Sequence, residues 1–178
     1  MKKDNKKPTF DSTVGKLIVL FAAEQIEFPA TEETLLEICA SANEWLEYFV
    51  CKAAVKELTD TGLLCNVGNN KKLYAITADG AVCLGHFFHC IPLSLREEIG
   101  AYIKENRQKY KRKQEYTGDY YKNLDGTYTL ILKINDSVNT IFELRLVVQN
   151  RHDAKWIYKN WVDKAPSVYS SVYEILHE

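Results

Sequence analysis

No apolar run in this 178-residue sequence approaches the roughly 18 residues needed to cross a bilayer as a helix. The longest, "LIVLFAA" at 17–23, has seven. Its five cysteines, at 39, 51, 65, 83 and 90, are odd in number and contain no CxxC pair. That argues against a disulfide framework and for a reducing, cytoplasmic setting. A phosphate-binding glycine loop, a dinucleotide fingerprint and a metalloprotease helix are all missing, which removes the commonest motif-bearing enzyme classes. Internal repeats and low-complexity linkers are missing too. Strong charge of either sign is also lacking. The net charge is −1, so the molecule as a whole is no electrostatic magnet for nucleic acid or membrane.

What is present is an ordinary globular composition, 46% hydrophobic and 26% charged. The basic start followed by "LIVLFAA" raises the question of a secretory signal. The run is at the lower limit of such a segment, and Asp11, Ser12 and Thr13 separate it from the lysines. It reads instead as a helix ending near Ile26, capped by Ser12 or Thr13, with Val14, Leu17, Ile18 and Phe21 at helical spacing.

Thr31 is the N-cap of a second helix, with Glu32 and Glu33 in its first turn, where the helix dipole favours acids. Leu35, Ile38 and Cys39 face the core. A third helix covers about 47–60. Cys51, Ala54, Val55 and Leu58 recur at i, i+3, i+4 and i+7 and are read as buried. Phe49, Lys52, Ala53, Lys56 and Asp60 fall on the opposite face, and Gly62 ends the helix. The period then changes. "LLCNV" and "LYAIT" read as strands joined by the turn formers "GNNKK", a β-hairpin. Thr77 caps a fourth helix that starts at Ala78, has Gly80 in its first turn and stops at Pro92.

The second half alternates differently. Ser94 to Glu97 fits a capping box for a long helix over 95–113. Asp125-Gly126 is a tight-turn signal. Tyr128, Leu130, Leu132 and Ile134 alternate with polar residues, as do Phe142, Leu144, Leu146 and Val148, the pattern of antiparallel strands with one buried face. Two helices close the chain, the first capped by Asn150, the second with Pro166 in its first turn.

Three helices, a hairpin and a closing helix are the order of a winged helix-turn-helix. "VKELTDTGLL" and "LYAITADGAVCL" resemble the end of the recognition helix and the wing of bacterial winged-helix regulators. The chain as a whole, over 15–176, resembles a bacterial winged-helix family catalogued as domain of unknown function 4364. The resemblance is carried by "EYFVCKAAVKEL", by "FFHCIP" followed by "LREEIGAYIKENR", by "NLDGTYTLILKI" and by "AKWIYKNW". It implies a transcriptional regulator with no established ligand or operator. The expected fold is therefore α+β: a winged helix-turn-helix domain over 1–92, then an antiparallel-sheet and two-helix module over 93–178 that dimerises or senses a signal.

"CLGHFFHC" (83–90) invites a metal reading. Cys83, His86, His89 and Cys90 do share one sector of a helix. Yet the two cysteines stand seven residues apart, about 10 Å along the axis, too far for one zinc ion. The stretch is read as structural packing, with no metal and no cofactor. The paired carboxylates at 32–33 and 97–98 sit in first helical turns, where dipole complementation accounts for them, and no enzymatic activity is expected.

The partner expected is double-stranded DNA, bound by a homodimer. Phe49, Lys52, Ala53 and Lys56 of the third helix are the candidate base-facing residues, and Asn69, Asn70, Lys71 and Lys72 of the wing the phosphate contacts. Charge opposes this. Residues 1–92 hold nine Lys and Arg against twelve Asp and Glu; residues 93–178 hold fourteen against twelve. The basic run "KENRQKYKRK" (104–113) lies outside the winged half and reads as a solvated helix face or a phosphate stripe. A winged helix that has lost DNA binding and acts through a protein partner, with exposed Phe49 as its anchor, is the alternative. The dimer is expected through the C-terminal half, where Trp156, Trp161, Tyr169 and Tyr173 exceed what one small sheet needs.

Overall fold

A computed structural model describes residues 11–67, 73–136 and 139–177. Its elements form a mixed α+β chain with two small antiparallel sheets. They divide between two compact units, one of residues 11–67 and 73–107, the other of 108–136 and 139–177.

The first unit is built around helix α1 (Ser12–Ile26). "LIVLFAA" is buried on every side, from Leu17 to Ala23, so the helix is central rather than amphipathic. Neither Ser12 nor Thr13 caps it. Asp11 holds the N-cap position, and its carbonyl accepts from the Gly15 amide at 3.0 Å. Glu27, in the left-handed conformation, ends the helix one residue before Phe28.

Strand β1 (Ala30–Thr31) leads into α2 (Glu32–Leu36), where the Thr31 hydroxyl accepts from the Thr34 amide at 3.1 Å. A π-helical turn, Glu37–Ala42, continues α2 and buries Ile38 and Cys39 completely. Next come α3 (Tyr48–Asp60), strands β2 (Leu64–Val67) and β3 (Leu73–Ile76), and α4 (Ala78–Phe87) with a 3₁₀ turn at Phe88–Cys90. The sheet order is β1-β3-β2, antiparallel throughout. A two-residue strand carries no readable period, which is why β1 is absent from the sequence reading.

Helix α5 (Leu93–Glu115) begins two residues before the expected start at 95, and one residue before the expected cap Ser94. The Arg96 amide bonds to the Pro92 carbonyl at 3.0 Å, so Ser94 lies inside the first turn instead of capping it. Residues 93–107 belong to the first unit. Trp45 donates its indole N–H to Glu98 at 2.8 Å and stacks edge-on against Tyr102, Arg107 pairs with Glu27, and the Arg96 guanidinium lies 4.4 Å from the Phe88 ring centre. Compactness thus divides the chain after Arg107, later than the boundary expected between residues 92 and 93.

The second unit is a meander, β4 (Tyr116–Lys122), β5 (Tyr128–Asn135) and β6 (Thr140–Val148), in the order β4-β5-β6. The expected alternation is present. Leu130, Leu132 and Ile134 are buried, and Phe142, Leu144, Leu146 and Val148 are half-buried against the same cluster. One helix, α6 (Arg151–His177), covers that face. The two helices expected here are a single helix of 27 residues with Pro166 inside it. Proline forfeits one i→i−4 bond, but the inward stripe of Ala154, Ile157, Trp161, Ala165 and Val168 runs straight through the site, and packing outweighs that bond. Asn150 caps α6 as expected, accepting from the Asp153 amide at 2.9 Å. Trp161, expected at a dimer contact, is committed to this unit's own core and donates its indole N–H to the Lys133 carbonyl at 3.1 Å.

Candidate nucleic-acid interface

Helix α3 carries the expected contact stripe, and its two faces divide as the period requires. Cys51, Ala54, Val55 and Leu58 are buried; Phe49, Lys52, Ala53 and Lys56 are exposed. At Gly15 of α1 a β-carbon would meet Leu46 and Val50 at ordinary contact distance, 3.6 and 3.7 Å, so α1 packs against this segment without a clash. The helix entry is fixed by the Leu46 amide bonding to the Cys39 carbonyl at 2.9 Å. Under the helix, a hydrogen bond with Cys51 and complete burial push the Cys39 thiol well above its usual range. This keeps it protonated and unreactive.

The far end of α3 is a Schellman cap. Gly62, at φ 74°, donates to Thr59 O at 3.1 Å, and Leu63 N donates to Leu58 O at 2.9 Å. Thr77 then binds this cap to α4. Its hydroxyl donates to Gly62 O at 2.8 Å and accepts from the Gly80 amide at 3.0 Å. A β-carbon at Gly80 would overlap the Leu63 carbonyl and press on Ile76. The sequence strings "TGLL" and "TADG" are therefore two halves of one joint, holding α3 against the hairpin and α4.

Neither Lys52 nor Lys56 forms an ion pair with a described residue, whereas Glu57 on the same helix is held by Lys16 at 3.0 Å. Glu47, at the N-cap position, and Asp60 remain exposed at the two ends of the stripe. Asn69, Asn70, Lys71 and Lys72 lie outside the described residues; Val67 and Leu73, on either side of them, pair directly. In "KENRQKYKRK", Arg107 is taken by Glu27 and Lys111 approaches Glu115 at 3.7 Å. Lys104, Lys109 and Arg112 are exposed and make no ion pair with a described residue.

Two features escaped the sequence reading. Tyr48 and Val50 are exposed beside Phe49, at 47%, 40% and 82%, with the Tyr48 and Phe49 rings edge to face at 5.6 Å. Three consecutive apolar residues at 100° steps cannot share one buried face, so "YFV" was the available signal. The other is a groove of about 320 Å³, floored by Leu17, Leu20, Leu58 and Leu63. Cys83 and Phe87 form part of its wall, and the Lys16–Glu57 pair lies at its rim. No sequence period announces such a space.

The packing expected of "CLGHFFHC" is only partly present. Leu84 is buried and Phe88 stacks edge-on with Phe21 at 5.4 Å, but His86, His89 and Cys90 face solvent. The helix breaks into a 3₁₀ turn at Phe88, which rotates the later residues out of the sector that a continuous helix would give them. Among the described residues no group of three or more His, Cys, Asp or Glu could hold a metal ion, and no helix is long and apolar enough to cross a membrane.

No curated protein and no solved structure matches the chain. One family model does, "Domain of unknown function (DUF4364)", over residues 15–176. That span is nearly the entire sequence, so the chain belongs to the DUF4364 family.

Proposed function

We propose that this chain is a DNA-binding transcriptional regulator of winged-helix type, that it works in the cytoplasm as a homodimer on double-stranded DNA, and that it is not an enzyme. In this reading α2 and α3 are the helix-turn-helix, α3 enters the major groove, and β2 and β3 with the residues between them are the wing. The observation that carries the reading is the outward stripe of α3. Lys52 and Lys56 stand exposed beside Phe49 and Ala53, unpaired with any described acid, on a helix whose other face is sealed into the core. The Lys16–Glu57 pair supports it by removing one acidic group from competition with phosphate.

The test is fluorescence anisotropy with DNA from the protein's own promoter region, begun at about 50 mM salt because the acidic neighbours weaken non-specific attraction. Lys52→Ala or Lys56→Ala should change preference among sequences by about tenfold, the effect of losing a base-edge contact. Lys71→Ala/Lys72→Ala should weaken binding alike on all sequences and flatten the log–log salt dependence by roughly 0.9 per phosphate contact. Binding that depends only on Lys109, Lys111 and Arg112 would move the interface to α5 and defeat the assignment.

A second reading has its own observation. The exposed Tyr48, Phe49 and Val50 make an aromatic patch of the kind that anchors protein contacts. If no DNA is retained at low salt, the winged helix is a protein-interaction module, and Phe49→Ala should then abolish partner binding.

A further inference from the structure

Strand β6 is an edge strand of nine residues, paired on one side to β5 and, among the described residues, to no strand on the other. Proteins usually blunt such an edge with charged side chains, lysine above all, or with proline or bulges. From Phe142 to Val148 β6 has no lysine, proline, glycine or bulge, and its two charged residues, Glu143 and Arg145, are of opposite sign; its one irregularity lies at the strand's beginning, opposite Ile134 and Asn135. The other edge, β4, is blunted. Gly118 and Asp119 sit in its middle, and the Asp119 carboxylate takes the Tyr120 amide at 2.7 Å. On the outer face of β6, Ile141 and Val147 are exposed at 51% and 64%, flanking Glu143 and Arg145.

We propose that β6 pairs antiparallel with β6 of a second copy, with Leu144 opposite its own counterpart, joining two three-stranded sheets into one of six strands. In this register Glu143 faces the partner's Arg145 and Arg145 faces the partner's Glu143. Ile141 and Val147 face each other on the same side. On the inner side Phe142 faces the partner's Leu146. Face parity forbids odd slips, which would set inner residues against outer ones. The nearest even slips put Glu143 opposite Glu143 or Arg145 opposite Arg145, and like charges directly opposite are destabilising. Within one chain Glu143 already pairs with Lys133 at 3.1 Å and with Arg145 at 2.9 Å; the second copy's Arg145 extends this row, so that positive, negative and positive groups alternate across three strands. The half-buried Phe142, Leu144 and Leu146 gain cover from the same residues of the second copy. This rests on the homodimer in the proposed function and not on its DNA binding, and the test contains no DNA.

Two measurements decide it. The mass of the full chain by sedimentation equilibrium should be that of two chains at tens of micromolar, an ordinary affinity for a modest interface. Glu143→Arg alone and Arg145→Glu alone should each weaken the dimer about tenfold or more, because each sets like charges opposite one another twice. Mixing the two single variants should restore a dimer, as should combining both changes in one chain. A monomeric wild type, single variants as dimeric as wild type, or a mixture that stays monomeric would each overturn the proposal. The second measurement needs no variant. Amide exchange in residues 142–146 of the wild-type chain should slow with rising protein concentration while that of 116–122 does not. Concentration-dependent protection in β4 instead of β6 would also overturn it.

Discussion

Helices α1 and α6 show how differently the two units meet solvent. α1 buries nine of its 15 residues; α6, with 27, buries three. The first helix is surrounded by other elements of its unit, so almost any residue it carries must be apolar. The second lies on one face of a three-stranded sheet and leaves Trp156, Tyr173, Ile175 and Leu176 more than half exposed. Two layers suffice for a core, but a single helix over three strands barely closes one. The first unit therefore keeps its unspent chemistry on a helix surface, and the second keeps it on an open strand and a helix end.

Substitutions can break that contrast. Trp161→Ala removes the centre of the second unit's cluster and its bond to Lys133. A loss of about 3–5 kcal/mol is expected, typical for a buried tryptophan. It should appear as faster hydrogen exchange through residues 116–177, with α1 and α3 unchanged. Leu176→Ala, at an exposed position in the same helix, should stay within about 0.5 kcal/mol. Equal effects from the two would mean that the end of α6 is buried in solution. In the first unit, Gly80→Ala should cost about 1–3 kcal/mol by overpacking. The atom it strikes is the Leu63 carbonyl oxygen, which also accepts from the Thr77 amide at 3.1 Å. Urea denaturation checks this; an unchanged midpoint would show that the Thr77 joint yields freely.

The same contrast marks what could be read in the sequence. Buried positions of α3, the Gly62 stop, the Thr31 and Thr77 caps and the β5 and β6 alternation were legible. Each depends on a period or on a local backbone rule acting within a few residues. Pro166 was misleading because the local rule places proline at a helix start, while the stripe from Ala154 to Val168 kept the helix whole. His89 and Cys90 were misplaced because residue type carries no information about where a helix tightens into a 3₁₀ turn; His86, still within α4, lies on the outer face of that helix. At the candidate interface Lys52, Lys56, Phe49 and Ala53 were correctly placed on the outer face, but Tyr48 and Val50 were overlooked. The groove depends on three elements distant in sequence, and no local pattern encodes it.

The smallest expected effect sharpens the comparison by pH. In the first unit the shifted groups are raised. Cys39 is held up by its bond with Cys51 and by burial, and Tyr74 by burial and then by Glu32. A group raised on folding contributes stability that is complete below its unfolded pKa and is lost as pH climbs through the folded one. For thiol and phenol that places the loss above about 8.5 and about 10 respectively. In the second unit the shifted groups are lowered. Glu143 is held down by hydrogen bonds from Arg145 and then Lys133, and Asp125 by the Thr127 hydroxyl and then its amide. Their contribution is present above the unfolded carboxylate values, about 4, and is lost as pH falls through the folded ones. Both carboxylates lie at the surface, so salt should diminish the acid arm. Hydrogen exchange followed separately over residues 11–107 and 108–177 should show the first unit loosening toward alkaline pH and the second toward acid. Glu143→Gln should remove part of the acid arm, and its difference from wild type should vanish below the folded pKa, where both side chains are neutral. An acid arm that appears equally in both units, or survives Glu143→Gln and Asp125→Asn together, would assign it to other carboxylates and dissolve this electrostatic distinction between the units.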